Sequence, residues 1–461
     1  GIGLEHHRSS ENQNDPGYFI DWAASLPDHN LLPHEFVHSW NGKFRRPDLL
    51  WTPNFDVPMQ DSLLWVYEGQ TQFWGYVLGA RSGMFSKQET LDAYAQIAAK
   101  LDTTRGREWR PMVDTTNDPI ISARRPKGWA NWQRSEDYYN EGLMIWLEVD
   151  GILRQQTKGA KGIDDFAKAF FESVSGITTT GSTVISGLDH APPGILLWRS
   201  VLHWLGGIGI VALGLFVMPY LRVGGMSFFK MESSDTTEKP FARIVTFTRA
   251  FILIYVVMTV TCTIIFSYLG MSRFDAINHA MSTVATGGFS THDASLGYFK
   301  SLPILWVATF FMTLSSLPFS VLILFIVRGR LDTLKDPQII VFLSYLTALA
   351  LAASLYQRIV NGVSAHEALA HGFFTVSSIL STTGFASDDY MLWGEFIVAL
   401  AFAATFMGGC SGSTAGGIKA YRFLIMFNVV RAGLKKLIYP NAVYSVRYGQ
   451  QVVDPDTIRT V

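Results

Sequence analysis

The sequence predicts a mainly α protein, a polytopic helical membrane domain preceded by a water-soluble, mostly helical segment. Three observations predict it. Apolar runs of bilayer length recur through the last two thirds of the 461 residues, a spanning helix needing about 20 residues. Three short Thr- and Gly-bearing stretches lie among them: Thr178-Thr179-Thr180-Gly181-Ser182, Ala285-Thr286-Gly287-Gly288-Phe289 and Ser381-Thr382-Thr383-Gly384-Phe385. Charge density also falls near residue 170. Residues 1–170 hold 18 of the 37 Lys/Arg and 23 of the 38 Asp/Glu, and the other 291 residues hold the remaining 19 and 15, as at a soluble-to-membrane boundary.

A net charge of −1 argues against a nucleic-acid partner. Cys262 and Cys410, the two cysteines, both sit in apolar stretches and support neither a disulfide framework nor a cysteine metal site. The first residue is Gly and no signal peptide precedes it, so the chain reads as beginning in mid-domain.

In residues 1–170 the strongest local signal is His34-Glu35-Phe36-Val37-His38. Histidines at i and i+4 share one helical face, as zinc ligation requires, and the Glu between them can act as a general base toward water. A third ligand is needed, and Glu68 lies 30 residues beyond His38 in what reads as a second helix. The alternative is a chance pentapeptide on a surface helix. Ser86 to Leu101 and Tyr139 to Gln155 read as amphipathic helices, and 51–54 and Thr115-Thr116-Asn117-Asp118-Pro119 as loops.

His34 to Lys43, the Trp65-Val66-Tyr67-Glu68-Gly69 stretch, Gly3-Leu4-Glu5-His6 and Asp137-Tyr138-Tyr139-Asn140-Glu141-Gly142 together resemble the glycyl aminopeptidase family of zinc metallopeptidases. The resemblance implies a truncated thermolysin-like catalytic segment with Zn2+ held by His34, His38 and Glu68, and Glu35 as base. It implies Tyr138 or Tyr139 as donor to an oxyanion. Glu5 stands where such enzymes present an edge strand, either to recognise a substrate α-amino group or as a solvated strand-end carboxylate.

At the junction, Asp164 to Phe171 continues the peptidase-like pattern, while Ala169 to Gly176 already reads as the entry to a pore helix. No Gly/Ser/Pro linker separates them. The expectation is a hybrid of two incomplete proteins, from recombination or sequence assembly, with a bifunctional protein as the alternative.

In the membrane part, Ile195 to Tyr220, Ala250 to Leu269, Leu302 to Val327 and Ile339 to Tyr356 read as spans, and Phe396 to Val430 as an interrupted one. The glycine spacing is 106 residues from Gly181 to Gly287 and 97 from Gly287 to Gly384. Such repetition suggests a pore of similar quarters, each with a re-entrant half-helix ending in a Thr-Gly turn. Backbone carbonyls of Thr179, Thr180, Gly181, Thr286, Gly287, Gly288, Thr382, Thr383 and Gly384 would replace the hydration shell of a potassium-sized cation, glycine supplying φ > 0. Basic residues cluster in alternate connections: Arg222, Lys230, Lys239 and Arg243; Arg328, Arg330 and Lys335; Arg431, Lys435, Lys436 and Arg447. The positive-inside rule makes these cytoplasmic and turns the filter stretches outward.

The interruption runs from Gly408 to Lys419. Gly408, Gly409, Gly412, Ser413, Thr414, Gly416, Gly417 and Lys419 read as a gating loop, the alternative being a seam of closely packed helices. His203, His279 and His371 are assigned no role beyond packing.

Glu172 to Gly181, Trp204-Leu205-Gly206-Gly207, Thr286 to His292, Thr382 to Ala386 and the glycine-rich break resemble the Trk/Ktr family of potassium uptake transporters. The resemblance implies outer helix–pore loop–inner helix repeats, three of four present: 171–240 in part, 241–336 and 337–440, with 441–461 leading to a fourth. It implies K+ as the transported ion, a multi-pass place in the inner cell membrane, homodimerisation and a cytosolic nucleotide-binding regulatory subunit. Three quarters of a filter would not surround an ion, so the chain alone is expected not to conduct.

Overall fold

The structure is a computed structural model. It describes all residues except 1, 7–8, 24, 26–28, 44–45, 48–49, 53, 55, 122–127, 213–239, 330–333, 440–444, 450 and 454–461. Pro53, the end of the first expected span at Tyr220, and Arg222, Lys230, Lys239 and Arg330 lie outside the described residues. The chain divides into two compact units, Gly1–Phe166 and Ala167–Val461.

The first unit opens with a hairpin, β1 (Ile2–Glu5) antiparallel to β2 (Ser10–Gln13), Glu5 opposite Ser10. Helices α1 (Leu31–His38), α2 (Leu64–Ser82), α3 (Lys87–Thr103) and α4 (Asn140–Gln156) follow. A capping box starts α3: Ser86 Oγ accepts from Glu89 N at 3.2 Å, and Glu89 Oε2 from Ser86 N at 2.6 Å. Helices α2 and α4 cross at paired glycines. A Cβ on Gly69 would come within 2.8 Å of the Gly142 Cα, so any larger residue would push α2 and its Glu68 away. The stretch expected as a loop at 115–119 instead joins two helical turns, Met112–Thr115 and Asp118–Ile121. Pro119 lies in the first turn of the second, where its missing N–H is no loss.

Among the described residues, the second unit is mainly helical, with a short hairpin pairing Arg447–Tyr448 with Gln451–Val452. Three half-helices precede the Thr-Gly stretches: α5 (Ile163–Ile177), α8 (Arg273–Val284) and α12 (Ala365–Leu380), α5 beginning before the unit boundary. The longer elements are α6 (Pro193–Ala212), α7 (Pro240–Tyr268) and α11 (Pro337–Ile359). Thr248–Tyr268 and Pro337–Ile359 are long and apolar enough to cross a bilayer. On α7, Leu253, Val257, Val260 and Ile264 are exposed at helical spacing, an apolar stripe suited to lipid.

One expected span is corrected. Leu302 to Val327 is two helices, α9 (Leu302–Ser315) and α10 (Phe319–Arg328), bent by 96°. Pro318 cannot donate to a continuing helix. The carbonyls freed at Ser315 and Ser316 accept from Thr414 N at 3.3 Å and Cys410 N at 2.9 Å. The last run breaks between α13 (Glu395–Phe406) and α14 (Ala420–Ile438).

Candidate functional site

The three Thr-Gly corners are built alike. Where each half-helix ends, N–H groups turn back into it: Thr180 to Ser175 O, Gly287 to Ser282 O and Thr383 to Ser378 O, all 2.9 Å. Just before these stand Thr179, Thr286 and Thr382 at φ 53°, 52° and 56°. Their hydroxyls donate to the preceding carbonyls of Thr178, Ala285 and Ser381 at 2.8, 2.7 and 2.6 Å. Just after stand Gly181, Gly288 and Gly384 at φ 76°, 87° and 79°.

This corrects two expectations. Glycine is not alone in the left-handed region, because a β-branched Thr shares it at every corner, at about 1–3 kcal/mol each. The repeat also runs through Gly288 rather than Gly287, which has no positive φ. Gly287 is small for another reason: a Cβ there would overlap the His203 ring.

The corners lie against one another. A Cβ on Gly181 would overlap the carbonyl oxygen of Gly287, and one on Gly288 the carbonyl oxygen of Thr383. A Cβ on Gly384 would meet nothing within 4 Å. Among the described residues, no carbonyl of 179–181, 286–288 or 382–384 accepts a hydrogen bond. Such carbonyls can take the place of water around a monovalent cation, and three half-helix C-termini add partial negative charge.

The 408–419 segment is a non-helical loop whose ends meet. Met407 and Ile418 form a parallel bridge, and Gly408 N donates to Ile418 O at 2.9 Å. Gly416 N donates to Thr382 Oγ1 at 2.6 Å, and Thr414 Oγ1 to Val284 O at 3.3 Å. Phe319 N, at the start of α10, donates to Gly412 O at 3.0 Å. Gly412 and Gly417 sit at φ 78° and 72°. Gly409 packs beside Ser413, whose Oγ donates to Cys410 O at 2.6 Å. The Lys419 ammonium turns back onto the Ala415 carbonyl.

In the first unit, α1 and α2 bring His34, His38 and Glu68 together. His34 Nε2 and His38 Nε2 each lie 3.2 Å from Glu68 Oε2 and 3.1 Å from each other, and all three residues are buried. Four-coordinate zinc with bonds of about 2.0 Å spaces its ligand atoms about 3.3 Å apart, so the donor set fits Zn2+. His38 Nδ1 lies 3.0 Å from Asn41 O, which directs its Nε2 lone pair at the centre.

Burial alone would raise the Glu68 carboxyl, but hydrogen bonds from His34 and His38 outweigh it and hold it well below the usual carboxylate range. Burial alone would lower the His38 imidazole, and the Glu68 hydrogen bond and charge turn that into a rise. Burial pushes the Glu35 carboxyl up, and its Oε2 has no hydrogen-bond partner among the described residues. A Cβ on Gly3 of β1 would overlap that carboxylate.

The Tyr139 ring centre is 5.8 Å from that of His34, whereas Tyr138 is buried with Leu50, Leu64 and Tyr67. Glu5 is no solvated strand end. It accepts from Tyr67 Oη at 2.6 Å and pairs with Lys43 Nζ at 3.1 Å. Burial alone would raise its carboxyl, and the Tyr67 hydroxyl, a backbone hydrogen bond and the charges of His38 and Lys43 together outweigh that, leaving it lowered.

Residues 126–355 and 338–461 match the family model described as cation transport protein. The chain belongs to this cation transport protein family. Family members similar to it include the Trk system potassium uptake protein TrkI of Halomonas elongata, 41% identical over 294 residues, 64% of this chain and 60% of that one. TrkH of the same organism is 38% identical over 330 residues, covering 70% and 68%. TrkH of Escherichia coli K12 is 39% identical over 304 residues, covering 64% and 62%. The chain thus spans about 60–68% of the length of these relatives. The crystal structure of the potassium transporter TrkH from Vibrio parahaemolyticus superposes with a TM-score of 0.59 at 30% identity, covering 80% of this chain and 78% of that one. Separately, residues 28–145 match the M61 glycyl aminopeptidase family model.

Sequence reasoning missed several residues that shape these sites. Glu172 and Arg199 form a fully buried ion pair beside the first two family corners. The Ser315–Pro318 break seats the 408–419 loop, and its signal was the proline. Asn41 and Lys43 lie just past the His-Glu motif, with nothing in their identity to mark a supporting role.

Proposed function

We propose that the second unit carries the K+ pathway of a Trk-type potassium uptake transporter. The observation that carries this reading is the juxtaposition of three corners with closely similar left-handed backbone and, among the described residues, carbonyls that accept no hydrogen bond. In this reading Thr179 to Gly181, Thr286 to Gly288 and Thr382 to Gly384 line the filter. The 408–419 loop, held to Thr382 and Val284, gates it. The membrane relatives support a multi-pass place in lipid. The inner membrane, an outward-facing filter, homodimerisation and a cytosolic nucleotide-binding regulatory subunit are parts of the same proposal, carried by likeness to the Trk proteins. The test is thermal stabilisation of the purified full chain by KCl against NaCl. Protection at lower K+ than Na+ is expected, and equal response to both would contradict the reading.

A second reading is favoured by the convergence of His34 Nε2, His38 Nε2 and Glu68 Oε2. We infer that the first unit is a zinc aminopeptidase-type segment in which these three hold Zn2+. Bound zinc would supply a Lewis acid. Glu35, buried and with a raised carboxyl pKa, is placed to take a proton from water. Tyr139, on the His34 side, is the better placed of the two tyrosines to donate to a developing oxyanion. Glu5, engaged by Tyr67 and Lys43, is a weaker candidate for the α-amino group of a substrate. One zinc per chain by elemental analysis, lost in Glu68→Ala, is expected; no zinc in the unaltered chain would contradict it. Matches to two unrelated families, overlapping over residues 126–145, fit a hybrid gene, and long-read sequencing across the codons for Ala169 to Glu172 separates a genuine join from an assembly product.

A further inference from the structure

The first corner differs from the other two in what stands behind it. The position nine residues before each left-handed glycine is Glu172, His279 or Thr375, all three buried. The position eighteen residues after is Arg199, Trp306 or Phe402. Of these pairs only the first is ionic, and it is enclosed: Glu172 is 0% and Arg199 1% exposed.

The pair is fully engaged, and its partners belong to two corners. Glu172 Oε1 accepts from Thr183 Oγ1 at 2.5 Å, Val184 N at 2.7 Å and Ile185 N at 3.1 Å, all in the segment leaving the first corner. Its Oε2 accepts from Arg199 Nε at 3.0 Å. Arg199 Nη2 donates to Thr183 Oγ1 at 3.1 Å, and Nη1 donates to Ser290 O at 3.0 Å, two residues past Gly288 in the second corner. The guanidinium lies 4.0 Å from the Phe289 ring centre, and His203, one turn further along α6, stacks on the same phenylalanine at 4.0 Å.

A lone buried ion pair is poor evidence of stabilisation, since desolvation offsets the attraction. Its better-attested use is to fix register. Here it ties the exits of two neighbouring corners, Thr183–Ile185 and Ser290, through one planar guanidinium. Lysine, with a single point charge, cannot make the same three directed bonds.

We propose that Glu172 and Arg199 are positioning residues for ion selection: they hold the first and second corners at the separation that favours K+ over Na+. The inference rests on the K+-pathway reading. It concerns preference between ions rather than the existence of the pathway.

The test uses the purified full chain in detergent, with K+ and Na+ midpoints taken from thermal stabilisation in titrated KCl and NaCl. Glu172→Gln keeps an acceptor for the Val184 and Ile185 amides but leaves Arg199 uncompensated. It is expected to lower the K+/Na+ preference about tenfold, the lower end of what supporting partners carry at other ion sites. Arg199→Lys, which restores charge without the fork, should fall between it and the unaltered chain. Thr183→Val removes the hydroxyl bridging the two without stranding a charge, and should cause a smaller loss of the same sign. It serves if either charge variant fails to fold.

Folded variants that keep the unaltered preference, or that lose K+ and Na+ affinity in equal proportion, would overturn the inference and leave the pathway reading intact. An unaltered chain with no K+ preference would overturn both. Arg358→Gln removes a guanidinium that, among the described residues, reaches only the Val363 carbonyl at 3.2 Å, and should leave the preference unchanged.

Discussion

The candidate metal centre and the candidate ion filter are built on opposite plans. In the first unit, side chains are the candidate ligands: two imidazoles and one carboxylate converge from two helices, and the backbone serves to hold them. In the second, the main chain supplies the candidate ligands, and side chains such as Thr286 Oγ1 and His203 fix its course. A side-chain site fails by loss of a ligand atom. A main-chain site has no ligand to delete and fails by gain of bulk or by relaxation of strain.

The largest effect that would break this contrast is at Gly288. An alanine there needs φ near 87° and would overlap the Thr383 carbonyl, so Gly288→Ala should abolish K+-dependent stabilisation. At Gly384 a Cβ meets nothing within 4 Å. Gly384→Ala then carries only left-handed strain, about 1–2 kcal/mol, and should weaken the K+ midpoint by about tenfold. Equal effects at the two glycines would show that strain alone, not crowding between corners, decides the outcome.

The metal centre answers differently. His38→Ala should remove zinc while leaving the K+ midpoint unchanged, read by elemental analysis beside the same thermal titration. Asn41→Pro is unsuitable as a probe because Asn41 N is bonded to Val37 O. Asn41→Ala removes instead the amide that reaches Tyr67 O at 3.2 Å and Thr71 Oγ1 at 2.9 Å. Loosening this second layer should weaken zinc by about tenfold.

What could be read beforehand follows the same division. His34, His38 and Glu68 were legible because side-chain chemistry is written in residue identity and helical spacing. The half-helices and the glycine-rich break were legible from apolar length and glycine density. The Thr partners at φ near 50° were not, since nothing in Thr179, Thr286 or Thr382 announces a left-handed backbone. The bend at Ser315–Pro318 was signalled by the proline, but the residues on both sides are apolar enough to make one span and masked that signal. The Glu172–Arg199 pair was hidden because its members are 27 residues apart, and each has an ordinary local explanation.

The smallest expected effect concerns the loop. Thr382→Val removes the acceptor of the Gly416 amide and keeps the shape, a loss of about 1 kcal/mol. Amide exchange at Gly416 should quicken by about fivefold, and because the same hydroxyl also donates to Ser381 O at 2.6 Å the K+ midpoint should weaken by about twofold. A loop indifferent to this change would not be held by the filter threonine.

The central claim is that main-chain oxygens of three adjacent corners hold the ion. Anomalous diffraction from crystals of the full chain grown in thallium, a heavy stand-in for K+, tests it most directly. The account predicts a peak in the space bounded by residues 179–181, 286–288 and 382–384. A map with thallium bound elsewhere on the chain and none between those corners would contradict it.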